Sequence, residues 1–571
     1  MGSSSSIMRP QELVEFRKLN TSIENVDVPA RPENRIVTDR KGFAIFGVAI
    51  LILIPFLIYT LVKVDSRLAI YDTDNCGNFC GLKNPLIDEV PCSGQDFTSQ
   101  KHANENGECD LFGFEDELNK LSETIDKELK KTFSEFSTKQ TNGKSNYENE
   151  ENWSIFDSTR DYPSNASVWW RYGLSLLFTV ALGIITLVLL RYAPGPFVWA
   201  ILIFSVLVLV VATGFLWVAF LQGKQDWPME TPIPLGAVIA WTIFAVVLLI
   251  IFIVIFKRIG LVIQLYKETT KVLAAMPLVV FFPIFIAFIQ IIIFIAAIVT
   301  TFWMFYSRKL TRRGENMYKY ELSGVAIFTI IFNIIVTSWA MRFVAGIQYM
   351  TISGGVARWY FSKTKDQLNS PVWSSFKVTM KYHLGTIAFG SFLMTLFAVV
   401  KLLLRMLFRN ACCRCCMDLC CNNVEVLLKF LSGNSYIQTA IHGQSFLRSA
   451  RRATKLLLTN IGNIVAINCV GDFVLAVIIM LVTVLATAIS FALFKDIGPV
   501  GGKAATTCFF INGVIIYVIF GTFQTIIDTL FICFCEDSVM NDGISRPYYM
   551  SRGLMEFMEN SKKGQARHTQ H

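Results

Sequence analysis

Seven side chains between positions 339 and 383 could do recognition chemistry: Trp339, Gln348, Tyr349, Trp359, Tyr360, Tyr382 and His383. Aromatic faces attract cations, a good contact being worth about 0.5 to 2 kcal/mol, and the glutamine amide and imidazole can hydrogen-bond a ligand hydroxyl. Two stretches hold most of them: Ser-Gly-Gly-Val-Ala-Arg-Trp-Tyr-Phe at 353–361 and Lys-Tyr-His-Leu-Gly-Thr-Ile-Ala-Phe-Gly at 381–390. Both are expected to interrupt apolar spans. Lipid offers no hydrogen bonds to a loosened backbone, so such segments must be covered by protein or face a water-filled cavity. Each aromatic taken singly would also suit the interfacial belt, and Gly354, Gly355 and Gly385 allow either close helix packing or a broken helix.

The elements that position these groups are membrane spans. Of 571 residues, 53% are hydrophobic and 17% charged, and the mean hydropathy is +0.48, far from globular averages. Nine runs are long enough to cross a bilayer: 42–62, 172–190, 197–221, 235–256, 276–306, 322–341, 384–404, 473–494 and 509–534. Arg40 and Lys41 ahead of the first run place the N-terminus in the cytosol. The same rule favours a tenth span at 259–275, which would carry Arg308, Lys309, Arg312 and Arg313 to the cytosolic side. Its charges count against it, although Glu268 and Lys271 are spaced to pair on one helix face. An amphipathic helix on the inner surface is the rival reading. The fold class is therefore an all-α polytopic membrane protein of about ten transmembrane helices. Its parts are a cytosolic tail (1–41), a first span (42–62), an outer loop (63–171), a bundle (172–410), a cytosolic cysteine-rich and amphipathic segment (411–470), two last spans (471–535) and a cytosolic tail (536–571). The net charge of +9 collects in flanks of apolar runs, so nucleic acid is not an expected partner, whereas the lipid bilayer is.

Cysteines sort by the same sidedness. Cys76, Cys80, Cys92 and Cys109 share the outer loop, where two disulfides are expected with three pairings open. That loop also carries the glycosylation acceptors Asn152 and Asn165. A second cluster, Cys412, Cys413, Cys415, Cys416, Cys420 and Cys421, follows a span end and reads as a target for lipidation, as does Gly2, whose surroundings equally resemble a tag remnant. The region 423–458 is amphipathic and basic, suited to an anionic inner leaflet. Asp472 and Asp528, at span margins, are expected to be hydrated or to pair with cations between Arg448 and Lys455.

Six blocks give the chain a resemblance to the choline transporter-like family: Asp-Asn-Cys-Gly-Asn-Phe-Cys-Gly at 74–81, the stretches 353–361 and 382–390, Ser-Tyr-Ile-Gln-Thr-Ala-Ile-His-Gly at 435–443, Val-Gly-Asp-Phe at 470–473, and Asp-Thr-Leu-Phe-Ile-Cys-Phe-Cys at 528–535. The resemblance implies ten spans, a glycosylated first outer loop, residence in the plasma membrane with both termini cytosolic, and transport of choline or a related amino alcohol such as ethanolamine. Its aromatic residues would then wall a quaternary ammonium, which has no N–H to donate, while Gln348 and His383 meet the hydroxyl. The chain departs from the family at Arg342, at Ser353, where Ala-Gly-Ala is common, and at Arg358, where Thr or Ser is usual. The alternatives are a channel, a lipid-handling protein or a carrier of another organic cation. No metalloprotease or nucleophile-elbow pattern occurs, so neither an enzyme nor a cofactor is expected.

Overall fold

The computed structural model describes residues 35–87, 90–100, 102–103, 108–110, 166–222, 235–256, 259–314, 317–363, 365, 370–407, 411–460, 467–495, 499–541, 546–556 and 558–559. The described chain is a succession of helices: α1 (Arg40–Val62), α2 (Ala166–Tyr192), α3 (Pro194–Gln222), α4 (Leu235–Ile255), α5 (Ile259–Ala275), α6 (Leu278–Met304), α7 (Gly324–Tyr360), α8 (Pro371–Val378), α9 (Leu384–Leu407), α10 (Ala411–His442), α11 (Phe446–Thr459), α12 (Asp472–Phe494) and α13 (Pro499–Met540). One π turn, Thr379–His383, joins α8 to α9, and another, Ile467–Gly471, leads into α12. Only Ala193 separates α2 from α3, where Pro194 and Pro196 supply no N–H to the helical ladder.

Eight helices among the described residues are long and apolar enough to cross a membrane: Arg40–Val62, Trp169–Tyr192, Pro194–Leu221, Leu278–Met304, Gly324–Tyr360, Pro371–Leu407, Asp472–Phe494 and Thr506–Met540. Leu235–Ile250 is a shorter apolar helix of the same kind. The protein is an all-α polytopic membrane protein. Helix α5 is different in character, burying Glu268, Thr269 and Thr270 along with its apolar residues. Glu268 is nonetheless paired, with Lys271 one turn on at 2.7 Å.

The chain divides into two compact units. The first holds residues 1–45, 163–290 and 342–571. Its core packs α12 on α13 and α2, with α5 laid against α13 and α10 against α9 and α11. The second holds residues 46–162 and 291–341. There the disulfides Cys76–Cys92 and Cys80–Cys109 cross-link the segment after α1. A two-residue pairing of β1 (His102–Ala103) with β2 (Cys109–Asp110) completes the described part of that loop. Its first turn is built on Asp74, whose carboxylate accepts from the backbone of Cys76 (2.9 Å) and Asn78 (2.7 Å). Acceptors Asn152 and Asn165 lie outside the described residues, as does Gly2.

Two expectations from sequence change here. The stretch 353–361 is no interruption, because α7 runs unbroken from Gly324 to Tyr360. Its glycines serve packing: a Cβ on Gly354 would stand 2.2 Å from Ser375 Oγ of α8. The loosened backbone lies instead in the other stretch, as the π turn at Thr379–His383. The basic residues after α6 also lie where charge bias did not put them. They form the hairpin β3 (Arg308–Arg312) and β4 (Tyr318–Leu322), antiparallel with Arg308 opposite Leu322. Tyr318 N donates to Asn75 O at 2.7 Å, Tyr320 Oη to Gly77 O at 3.1 Å, and Asp65 N to Tyr306 O at 3.3 Å. The hairpin thus shares its side with the disulfide-bonded loop, and Arg313 is neutralised by Glu321.

Candidate functional site

Three of the sequence blocks meet inside the first unit. Helices α7 and α13 run side by side in the same direction, linked by Tyr349 Oη to Asp528 Oδ2 (3.4 Å), Thr529 Oγ1 to Ser353 Oγ (3.1 Å) and Tyr360 Oη to Asp537 Oδ2 (3.1 Å). Asp472, at the start of α12, accepts from Gln524 Nε2 of α13 at 3.1 Å, and its charge is felt at Asp528. Neither Asp472 nor Asp528 is ion-paired among the described residues. Tyr349 in turn lies 6.4 Å from Tyr436, and Tyr266, edge-on to Phe523 at 5.3 Å, donates at 2.7 Å to the carbonyl of Gly471, the residue before Asp472. Tyr349 and Asp528 are half-buried. An acid in a membrane helix without a cation is costly unless it is hydrated or something else supplies the charge.

Eight residues further along α13 the chemistry is closed. Glu536 is fully buried and receives a fork from Arg452 of α11, Nε to Oε1 and Nη2 to Oε2, both at 2.8 Å. Gln438 Nε2 adds 2.8 Å, and His442 Nε2 stands 3.4 Å away. Burial opposes the charge on Arg452, but its hydrogen bond to Glu536 and the field of that carboxylate outweigh burial and hold its pKa up. The cation expected to serve Asp472 or Asp528 therefore serves Glu536.

A third polar array ties down residues 35–39. Arg35 Nη1 meets His383 Nε2 at 2.9 Å, and Thr38 Oγ1 meets His383 Nδ1 at 3.0 Å and Thr386 Oγ1 at 2.7 Å. Arginine can only donate, so Nε2 accepts and the proton of a neutral His383 resides on Nδ1. Thr386 in turn donates to Asp39 Oδ2 (2.7 Å), which also accepts from the backbone N of Phe446 at the start of α11 (2.7 Å). Arg35 Nη2 donates to Ala440 O near the end of α10 at 2.6 Å. The two charges thus complement helix ends of opposite polarity. Burial, with the charge of Arg358 beside it, lowers Arg35 to about 10, so it remains a cation at neutral pH. Gly385 is required here, since a Cβ would stand 2.3 Å from Asp39 O and 2.4 Å from Thr38 O.

The seven candidate residues are not one cluster. Trp339 belongs to the second unit, edge-on to Phe46 at 4.9 Å. Tyr349 lies at Asp528, with half-buried Gln348 beside it in sequence on α7. Trp359 is buried with its indole N–H unpartnered among the described residues, and Lys365 Nζ lies 4.3 Å over its ring. Tyr360 is engaged with Asp537, which also accepts from the backbone N of Tyr549 and Met550. Tyr382 lies under Lys381 Nζ (5.1 Å) and gives its carbonyl to Thr38 N (2.9 Å); both nitrogens of His383 are occupied within the protein. Arg358 Nη1 bonds Ser374 Oγ, and the charge of Arg342 is felt at Glu425.

Comparison with known proteins accounts for this arrangement of blocks. The family model described as plasma-membrane choline transporter matches residues 239–539, just over half of the chain. The chain belongs to this family. Choline transporter-like protein 1 of Rattus norvegicus is 31% identical over 418 residues, 68% of this chain and 63% of the rat protein. Choline transporter-like protein 2 of Dictyostelium discoideum is 29% identical over 430 residues, 68% and 66% of the two chains. Choline transporter-like protein 3 of Homo sapiens is 26% identical over 587 residues, 88% of each. The rat alignment thus takes in less than two thirds of that relative's length.

Within this family member the acids carry the electrostatics that the aromatic inventory left out. Asp528 opens one recognised block and Asp472 lies in another, and an ionisable residue within an apolar helix was the available signal. The 35–39 strap had no such signal, because its partners lie more than 340 residues away along the chain.

Proposed function

We propose that the protein is a carrier of choline or a related amino alcohol such as ethanolamine, and that Asp528, Asp472 and Tyr349 supply the cation site. The observation that carries this reading is a pair of membrane-helix carboxylates without an ion partner among the described residues, Asp528 bonded by Tyr349, whose ring meets Tyr436, and Asp472 next to Gly471, whose carbonyl Tyr266 holds. A quaternary ammonium needs this combination. It offers no hydrogen-bond donor, so it is held by diffuse negative potential and by ring faces. Family membership and relatives named as choline transporter-like proteins support the substrate class. In this reading half-buried Gln348, next to Tyr349 in the sequence, would meet a ligand hydroxyl, whereas buried Trp359, with Lys365 Nζ already over its ring, supports helix packing. Trp339, Tyr360, Tyr382 and His383 act in this reading as supports for the helices around the site. Residence in the plasma membrane with cytosolic termini, glycosylation at Asn152 and Asn165, and a non-enzymatic role complete the proposal.

The test is uptake of labelled choline by cells or vesicles containing equal amounts of wild type, Asp528→Asn and Asp472→Asn. Saturable uptake that collapses in the Asp528 variant supports the site. Wild-type uptake in both variants removes the acids from it, and single-channel currents in place of saturable flux would favour the channel reading.

A further inference from the structure

Helix α10 has the composition of a cytosolic segment, with six cysteines and several charges in its first half. Its packing is that of a membrane helix. It retraces α9 in the opposite direction, in one register from end to end: Arg405 Nε to Asp418 Oδ1 (2.6 Å), Lys401 Nζ to Asn422 Oδ1 (2.7 Å) and to Glu425 Oε2 (2.5 Å), and Tyr436 Oη to Ile387 O (3.3 Å). Arg35 then joins His383 to Ala440 at the far end. From position 383 to position 405 the shared length is about 33 Å at the rise of a helix, against about 30 Å of hydrocarbon. Because Pro371–Leu407 is one of the long apolar helices, a helix beside it over that length crosses with it.

The side chains of α10 largely follow the distribution lipid imposes, with Asn422 and Asn423 as exposed exceptions toward its start. Leu419, Val424, Val426 and Leu427 are exposed, whereas Ser432, Asn434, Ser435, Gln438 and Thr439 are buried. In water that pattern is inverted; in a bilayer, polar groups turn to the protein interior. Lys429 is also exposed on this stretch, and its field reaches Asp472.

We infer that α10 crosses the membrane and presents its cysteine-rich start, including the exposed thiols of Cys415, Cys416 and Cys420, on the side that holds the disulfide-bonded first loop. The sidedness follows from parity. Arg35 and Asp39 precede α1, touch the end of α10 and the start of α11, and so mark one side; the first loop follows α1 and lies on the other. Since α10 ends at Arg35, it begins on the loop side. Its thiols are then out of reach of cytosolic S-acylation and open to reagents and disulfide exchange from the loop side. This placement also makes α10 the tenth span, a role the sequence alone favoured for α5, and buries its polar face in the unit that holds Asp528.

The test follows the accessibility of three positions in sealed membranes of one preparation: an epitope in the first loop, an epitope at the N-terminus, and the α10 thiols probed with an impermeant polyethylene-glycol maleimide. The thiol is consumed by addition across the maleimide double bond, which shifts the mass. The variant with Cys412, Cys413, Cys415, Cys416 and Cys420 replaced by Ser identifies the shift. An epitope inserted between positions 407 and 411 provides a reading independent of thiol reactivity. Both α10 probes are expected to track the first loop and oppose the N-terminus. If either tracks the N-terminus and opens only on permeabilisation, α10 does not cross.

Discussion

Two acids on α13, eight residues apart, show how differently one helix can treat a carboxylate. Glu536 has a two-point arginine fork, a glutamine and a nearby histidine. Among the described residues Asp528 has one long bond, from Tyr349, and a second acid whose charge reaches it. Desolvating a charge costs several kcal/mol, and only a well-placed counter-charge repays it. The first site contains its own counter-charge and is a clamp among α10, α11 and α13. The second has no counter-charge among the described residues, and in the proposed reading an external cation supplies it, the condition for a site that must also release what it binds.

The largest expected effect tests the clamp. Arg452→Met leaves Glu536 buried and unpaired, at a cost of about 3 to 5 kcal/mol. The purified variant should melt well below wild type, while Arg452→Met combined with Glu536→Gln should recover most of the loss. If the single variant melts like wild type, Glu536 is not a structural clamp and the contrast with Asp528 disappears.

The next effect has the opposite signature. Asp528→Asn should reduce choline uptake about tenfold or more, in line with about 1.5 to 3 kcal/mol for a charged contact, and its melting temperature should match or exceed that of wild type. Removing an unpaired, half-buried charge from a membrane helix relieves the protein rather than injuring it. Added choline should raise the wild-type melting temperature and leave this variant unmoved. A variant that instead melts early would place Asp528 with Glu536, as structure rather than site.

Asp39 is an intermediate case, its compensation spread through Thr386, Thr38 and His383 to Arg35. Gly385→Ala puts a methyl against two carbonyl oxygens of the strap, and overpacking of this kind costs about 1 to 3 kcal/mol. Limited proteolysis after Arg35 or Arg40 should be faster in the variant, with the melting temperature lowered less than by Arg452→Met. Unchanged proteolysis would mean that the strap is not held by this contact.

Much of this was legible in the sequence, and the missing part has a physical form. Apolar runs announced most of the crossing helices because each has to face lipid by itself. Helix α10 escaped because it faces lipid on a narrow stripe, so its average polarity hides its position. The charges at 308–313 were expected opposite the first loop and instead share its side, because backbone contacts with Asn75 and Gly77 fix the hairpin there. Around the site, the blocks at 353–361 and 528–535 were visible as blocks, but their side-by-side alignment was not. The same limit applies to Arg452, whose partner is 84 residues away. Pairing across that distance is decided by packing, and any of the nearby cations would have been equally good by sequence.

The smallest effect separates charge from ring. Tyr349→Phe keeps the aromatic face and removes only the hydroxyl that meets Asp528 at 3.4 Å. A bond that long is weak, and its loss should cost about 0.5 to 1.5 kcal/mol at most. The KM for choline should therefore move by a few-fold with little change in maximal rate, whereas Tyr349→Leu, which removes the ring, should cost more. If Phe and Leu are equally damaging, the hydroxyl alone matters and Tyr349 only orients Asp528. If both are harmless while Asp528→Asn is severe, the cation is held by charge, with its ring contacts supplied elsewhere.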